Sequence, residues 1–160
     1  MFLLLLLACT NGYKANKAEQ ALRAGEYLTA ESYYREILDD DPDHADALYG
    51  LGWLYHLNQD PDRANEYFKR CNRVAPTDWR CLRGLGSVAR TDGSRSLARA
   101  HFEAGLELAP EEPRLMDSLG LVYSDAGDHE TALTWYEKAA AADPSSGEYG
   151  FNKADRKSVV

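Results

Sequence analysis

The residues of this 160-residue chain best suited to chemistry are its clustered acids, four histidines and three cysteines. The run DDDPDHAD, Asp39 to Asp46, has the composition of a cation-binding loop. An EF-hand loop needs Gly at its sixth position and a bidentate Glu at its twelfth. Counted from Asp39, those positions hold His44 and Gly50. The run therefore reads as a solvated turn that caps the helix after it. His44, His56, His101 and His129 show no zinc-ligand spacing, and no Cys/His pair shares a local motif for nucleophilic catalysis. The sequence shows no catalytic constellation, metal site or cofactor motif, so it reads as non-enzymatic.

Bulk composition narrows the classes further. Eighteen basic and 26 acidic residues give a formal net charge of −8, which argues against binding a phosphate backbone. Apolar residues make up 44% and charged residues 28%, enough to bury a core. Cys9, Cys71 and Cys81 are too few for a disulfide-built scaffold. No apolar run approaches the ~18 residues of a bilayer-spanning helix.

What positions these residues is a repeat. Pro42, Pro76, Pro110 and Pro144 are spaced 34 residues apart. Between the first two, Leu48, Leu51, Gly52 and Tyr55 precede Ala64 and Phe68. The next interval has Leu82, Leu85, Gly86 and Ala89, then Ala98 and Phe102. The last has Met116, Leu119, Gly120 and Tyr123, then Ala132 and Tyr136. Ahead of Pro42 come Ala18, Ala21, Gly25, Ala30, Tyr34 and Ile37 in the same register. Apolar spacings of three and four mark amphipathic helices. Gly25, Gly93 and Gly127 break the chain between paired helices. Each proline ends one pair, and Asp41, Thr77 and Asp143 beside the prolines are expected to satisfy helix ends or turns. In-helix glycines cost up to about 1 kcal/mol of propensity, so Gly52, Gly86 and Gly120 imply close helix approach, with the alanine column as its small counterpart. The aromatics are expected to fill space between neighbouring pairs.

Period and columns together resemble the tetratricopeptide repeat family over roughly residues 12–145. The resemblance implies an all-α solenoid of about four helix hairpins, 11–42, 43–76, 77–110 and 111–144, wound as a right-handed superhelix. It also implies a concave groove lined by the first helix of each hairpin. The groove residues are then Asp46, Tyr49, Trp53 and His56; Arg80, Arg83, Ser87 and Arg90; and Arg114, Asp117, Leu121 and Ser124. Tyr49 and Trp53 make an aromatic platform, with His56 on the same stripe. Arg80, Arg83 and Arg90 make a basic stripe, and stripe and platform together suit a peptide with acidic and apolar side chains. The competing reading pairs these arginines with acids such as Asp46 or Asp117, at little energy. The Lys/Asn pattern by which some members hold C-terminal carboxylates is absent, the matching positions being Ala15 and Glu19. In this fold Cys71 and Cys81 flank one inter-repeat turn; they are either a disulfide or two small buried thiols.

Both ends of the sequence carry their own signals. Phe2 to Ala8 is a short apolar run, and Leu6-Leu7-Ala8-Cys9 resembles a bacterial lipobox, although no Lys or Arg precedes it. Residues 1–8 are expected to be a signal peptide and Cys9 the lipidated residue of a protein held at the outer membrane, facing the periplasm. Residues 145–154 read as the start of a further helix. The ending DRKSVV, residues 155–160, matches what a sequencing adapter encodes in one frame and is expected to be non-native. The resulting expectation is a membrane-anchored scaffold that binds a protein segment and no nucleic acid, in the manner of factors assisting secretin or pilus assembly. The alternatives are the interaction arm of a larger enzyme or a soluble cytoplasmic adaptor. Neither the partner nor the oligomeric state is written in the sequence.

Overall fold

The computed structural model describes the backbone over residues 2–145 and side chains over residues 10–145. The Cys9 side chain, where lipidation is expected, and the tail at 155–160 fall outside that description, as does all but the first residue of the segment 145–154. The described residues form eight helices and no strand. They are α1 (Phe2–Arg23), α2 (Tyr27–Asp40), α3 (Ala45–Leu57), α4 (Pro61–Val74), α5 (Trp79–Thr91), α6 (Arg95–Leu108), α7 (Pro113–Asp125) and α8 (His129–Ala142). Consecutive helices pair as four hairpins. Among the described residues, no helix is long and apolar enough to cross a membrane.

The hairpin bends follow from backbone chemistry. Gly25, Gly93 and Gly127 have φ of 76°, 78° and 80°, the left-handed region that glycine enters without a Cβ clash. Gln59, at the same repeat position in the second hairpin, adopts φ 57°. The starts of α3, α4, α5, α7 and α8 are capped by side chains; those of α2 and α6 are not. Asp60 accepts from the Arg63 N–H at 3.1 Å and Asp128 from the Thr131 N–H at 3.1 Å. His44 Nδ1 accepts from the Ala47 N–H at 3.4 Å, so the DDDPDHAD run does cap the next helix. Asp41 and Asp143 close turns on the N–H groups of Asp43 and Ser145. At the Pro76 turn the cap is Asp78, one residue beyond the expected Thr77, because its carboxylate reaches the Arg80 N–H.

The chain divides into two compact units, Met1–Thr77 and Asp78–Val160. In the first, α1 packs on α2, α2 on α3 and α3 on α4, burying Ala18, Ala30, Ile37, Leu48, Leu51, Leu54 and Phe68. A polar contact joins α2 to α3: the Tyr55 hydroxyl donates to Glu31 Oε1 at 2.6 Å and accepts from Arg35 Nη2 at 2.8 Å. In the second unit, Ala89, Ala98, Phe102, Leu115, Leu119 and Val122 form the core, flanked by Trp79, Leu106 and Trp135.

The glycine column has a specific partner. A Cβ on Gly52 would lie 2.6 Å from two Phe68 ring carbons, and one on Gly120 would lie 2.5 Å from Tyr136 Cε1. A Cβ on Gly86 would collide with the Phe102 ring in the same way. Phe68, Phe102 and Tyr136 thus each sit on the glycine of their own hairpin, whereas Tyr34 of α2 lies against Gly50 of the next hairpin. Phe102 also shares one buried cluster with Leu115, Leu119 and Val122 of the next hairpin, so at Tyr34 and Phe102 the aromatics lie between neighbouring hairpins as expected.

Candidate functional site

Within each unit the first helices of successive hairpins lie side by side, α1 with α3 and α5 with α7. These helices carry the residues expected to face a ligand, and the two units present different chemistry.

In the first unit, α3 brings together the expected platform pair, Tyr49 and Trp53, and adds His56 to it. Tyr49 and Trp53 meet edge-on with centroids 6.2 Å apart, and His56 meets the Trp53 ring at 5.3 Å. Phe68, fully buried on α4, supports both larger rings at 6.1 and 5.6 Å. The chain of contacts starts at Gly52, whose missing Cβ admits Phe68. Tyr49, Trp53 and His56 each remain half-buried, so part of every ring faces outward. Edge-on aromatic pairs of this kind hold their geometry at little entropic cost.

In the second unit, arginines occupy α5 and α7 as expected, and each of three has an acidic partner. Arg80 Nε donates to both Asp78 carboxylate oxygens, at 2.9 and 3.0 Å, and its Nη2 donates to Oδ2 at 2.5 Å. The same carboxylate accepts the Arg80 backbone N–H at 3.0 Å. One repeat later, Glu112 accepts the Arg114 N–H at 3.2 Å and its Nε at 2.8 Å. The Arg114 guanidinium also lies 4.6 Å from the Trp79 ring centroid, a cation–π contact. Arg90 Nη1 reaches across from α5 to Asp125 Oδ2 of α7 at 2.8 Å. Arg83 is half-buried on the same helix, and its carbonyl accepts the Ser87 hydroxyl at 2.9 Å. Burial pushes the Asp78 carboxyl upward, but its hydrogen bonds from Arg80 outweigh that and hold it below the ordinary carboxylate value.

The arginines fall on α5 and α7, and the competing reading, which paired them with acids, named Asp46 or Asp117 but not the three partners Asp78, Glu112 and Asp125. Two had a readable signal, since acid-x-Arg recurs one period apart at Asp78/Arg80 and Glu112/Arg114. Asp125 had none, being 35 residues from Arg90. Among the described residues, no group of three or more His, Cys, Asp or Glu could hold a metal ion.

The tetratricopeptide repeat profile matches residues 16–78 and 83–147. No curated protein sequence matches the chain. Among solved structures, the chain is similar to PilF of Pseudomonas aeruginosa, with TM-score 0.81 and 20% identity over 93% of this chain and 68% of that one. It is similar to MamA, with TM-score 0.65 and 25% identity over 79% of this chain and 74% of that one. YrrB, described as a repeat protein of this kind with an unusual peptide-binding site, matches with TM-score 0.68 and 20% identity over 86% of this chain and 71% of that one. The O-GlcNAc transferase of Thermobaculum terrenum matches over only 26% of its length.

Proposed function

Because the chain belongs to the tetratricopeptide repeat family, we propose that it captures a segment of a partner protein on the first helices of its hairpins while held at a bacterial envelope membrane. Domains of this family bind protein or peptide partners, and the chain is a protein–protein interaction scaffold in that sense. The observation that carries the finer reading is the α3 cluster of Tyr49, Trp53 and His56, half-buried and braced by Phe68. Trp and Tyr held rigidly at a partly open face are the composition that dominates binding energy at interfaces. An apolar side chain of the partner inserts beside Trp53.

The envelope placement is supported by Leu6-Leu7-Ala8-Cys9, where a small residue precedes a thiol suited to acylation. A lipid on Cys9 would raise the local concentration of the captured partner at the membrane. In that compartment Cys71 and Cys81 are expected to pair. Assistance to assembly of an envelope complex, such as a secretin or a pilus, fits this arrangement.

A photo-crosslinking amino acid at position 49 tests capture in cells. It should trap a discrete protein, and Trp53→Ala should abolish that band while leaving the helical circular dichroism intact. Labelling with a radioactive fatty acid tests the anchor: label should enter the wild type and not Cys9→Ser. A labelled Cys9→Ser chain, or a crosslink indifferent to Trp53, would remove the corresponding half of the reading.

A further inference from the structure

The α5–α7 face looks basic in the sequence, yet its arginines carry their own counter-ions. Arg80, Arg83, Arg90 and Arg114 are matched in number by four acids on the same two helices, Asp78 and Glu112 as their N-caps and Asp117 and Asp125 within α7. Three of these arginines are held directly, by Asp78, Asp125 and Glu112. The side chains of Asp78 and Glu112 are only 17% and 14% exposed. A ligand carboxylate that took Arg80 or Arg114 would leave one of these acids poorly solvated, unpaired and beside a like charge, an arrangement that is strongly disfavoured. Each acid also caps a helix start, so it cannot swing away without exposing a backbone N–H. The hydroxyls of Ser87 and Ser118 are turned back onto their own helices, to the carbonyls of Arg83 and Arg114. On α7 itself Leu121 is half-buried and adds apolar surface.

We propose that the α5–α7 face selects an uncharged, apolar-rich peptide segment and rejects acidic ones, the built-in acids acting as the discriminating elements. This rests on the peptide-capture reading above and specifies the chemistry of the segment. It replaces the acidic peptide that the arginine positions alone imply.

The test is selection from a phage-displayed library of random twelve-residue peptides on the immobilised full chain. It is run at about 50 and about 500 mM salt, where screening of exposed charges differs strongly. Wild type should enrich peptides of near-zero net charge with apolar side chains, with enrichment changing less than about twofold between the two salts. The double variant Glu112→Gln, Asp125→Asn keeps a capping oxygen at position 112 while removing the carboxylate charges that pair with Arg114 and Arg90. It should shift enrichment at least several-fold toward Asp- and Glu-rich peptides at low salt. Acidic peptides enriched on wild type, or an unchanged preference in the double variant with helical circular dichroism retained, would overturn the selectivity proposal and leave peptide capture standing. Enrichment on neither protein would overturn capture itself.

Discussion

Asp78 joins two interactions in one turn: it caps α5 through the Arg80 N–H and grips the same residue's guanidinium. Asp78→Ala should cost about 0.5–2 kcal/mol at neutral pH, the usual range for a lost N-cap. The folded carboxyl sits below its ordinary value, so its contribution is present above the unfolded value of about 3.9 and is lost as pH falls through the lower folded one. Urea unfolding of wild type and variant should therefore differ at pH 7 and converge in strong acid; a gap that widens on acidification would contradict the assignment. Gln59 makes the opposite case. It holds φ 57° where the other three hairpins use glycine. A side chain in that region costs roughly 1–2 kcal/mol, while glycine's extra chain entropy gives back part of the gain. Gln59→Gly should thus stabilise by about 0.5–1 kcal/mol, read as a higher denaturation midpoint at unchanged m-value.

Between helices, the unit of construction is glycine on the first helix and an aromatic on the second. Gly52→Ala would drive a methyl into Phe68 at 2.6 Å, and Phe68 in turn carries Tyr49 and Trp53. The expected cost is about 1–3 kcal/mol, typical of overpacking. Phe68→Leu in the same chain should recover part of that stability without restoring the ring support beneath Trp53. Chemical denaturation reads the first effect and tryptophan fluorescence the second. This pairing also marks where the sequence was legible. Column periodicity located the helices and their buried positions, because a 34-residue period repeats the same packing problem four times. It named the glycines as close-approach positions but not the ring that fills each gap, since spacing alone does not say which neighbour a side chain meets. The aromatic platform was readable because its members share one stripe of α3. The arginine stripe was half readable. Its positions followed from the repeat, whereas its neutralisation depends on Asp125, brought to Arg90 only by the packing of α5 against α7.

For the whole molecule, the strongest lever on the envelope reading is the pair Cys71 and Cys81. Both are fully buried, one in the last turn of α4 and the other in the first turn of α5. Burial alone protects a native thiol from reagent, so native-state reactivity cannot separate a disulfide from two free cysteines. Denaturation separates them. A Cys9→Ser chain matured in an oxidising compartment, unfolded without reductant and treated with iodoacetamide, should take up no label; after reduction it should take up two. Closing so short a loop should add roughly 2–3 kcal/mol by restricting the unfolded chain. Reductant should lower the unfolding midpoint of this protein and leave a Cys71→Ala, Cys81→Ala variant unmoved. Two labels before reduction would mean that the cysteines are small core side chains. The export reading would then rest on the Leu6-Leu7-Ala8-Cys9 run alone. Repeat packing in each unit would be unaffected, because it relies on contacts between sequence neighbours and not on a cross-link.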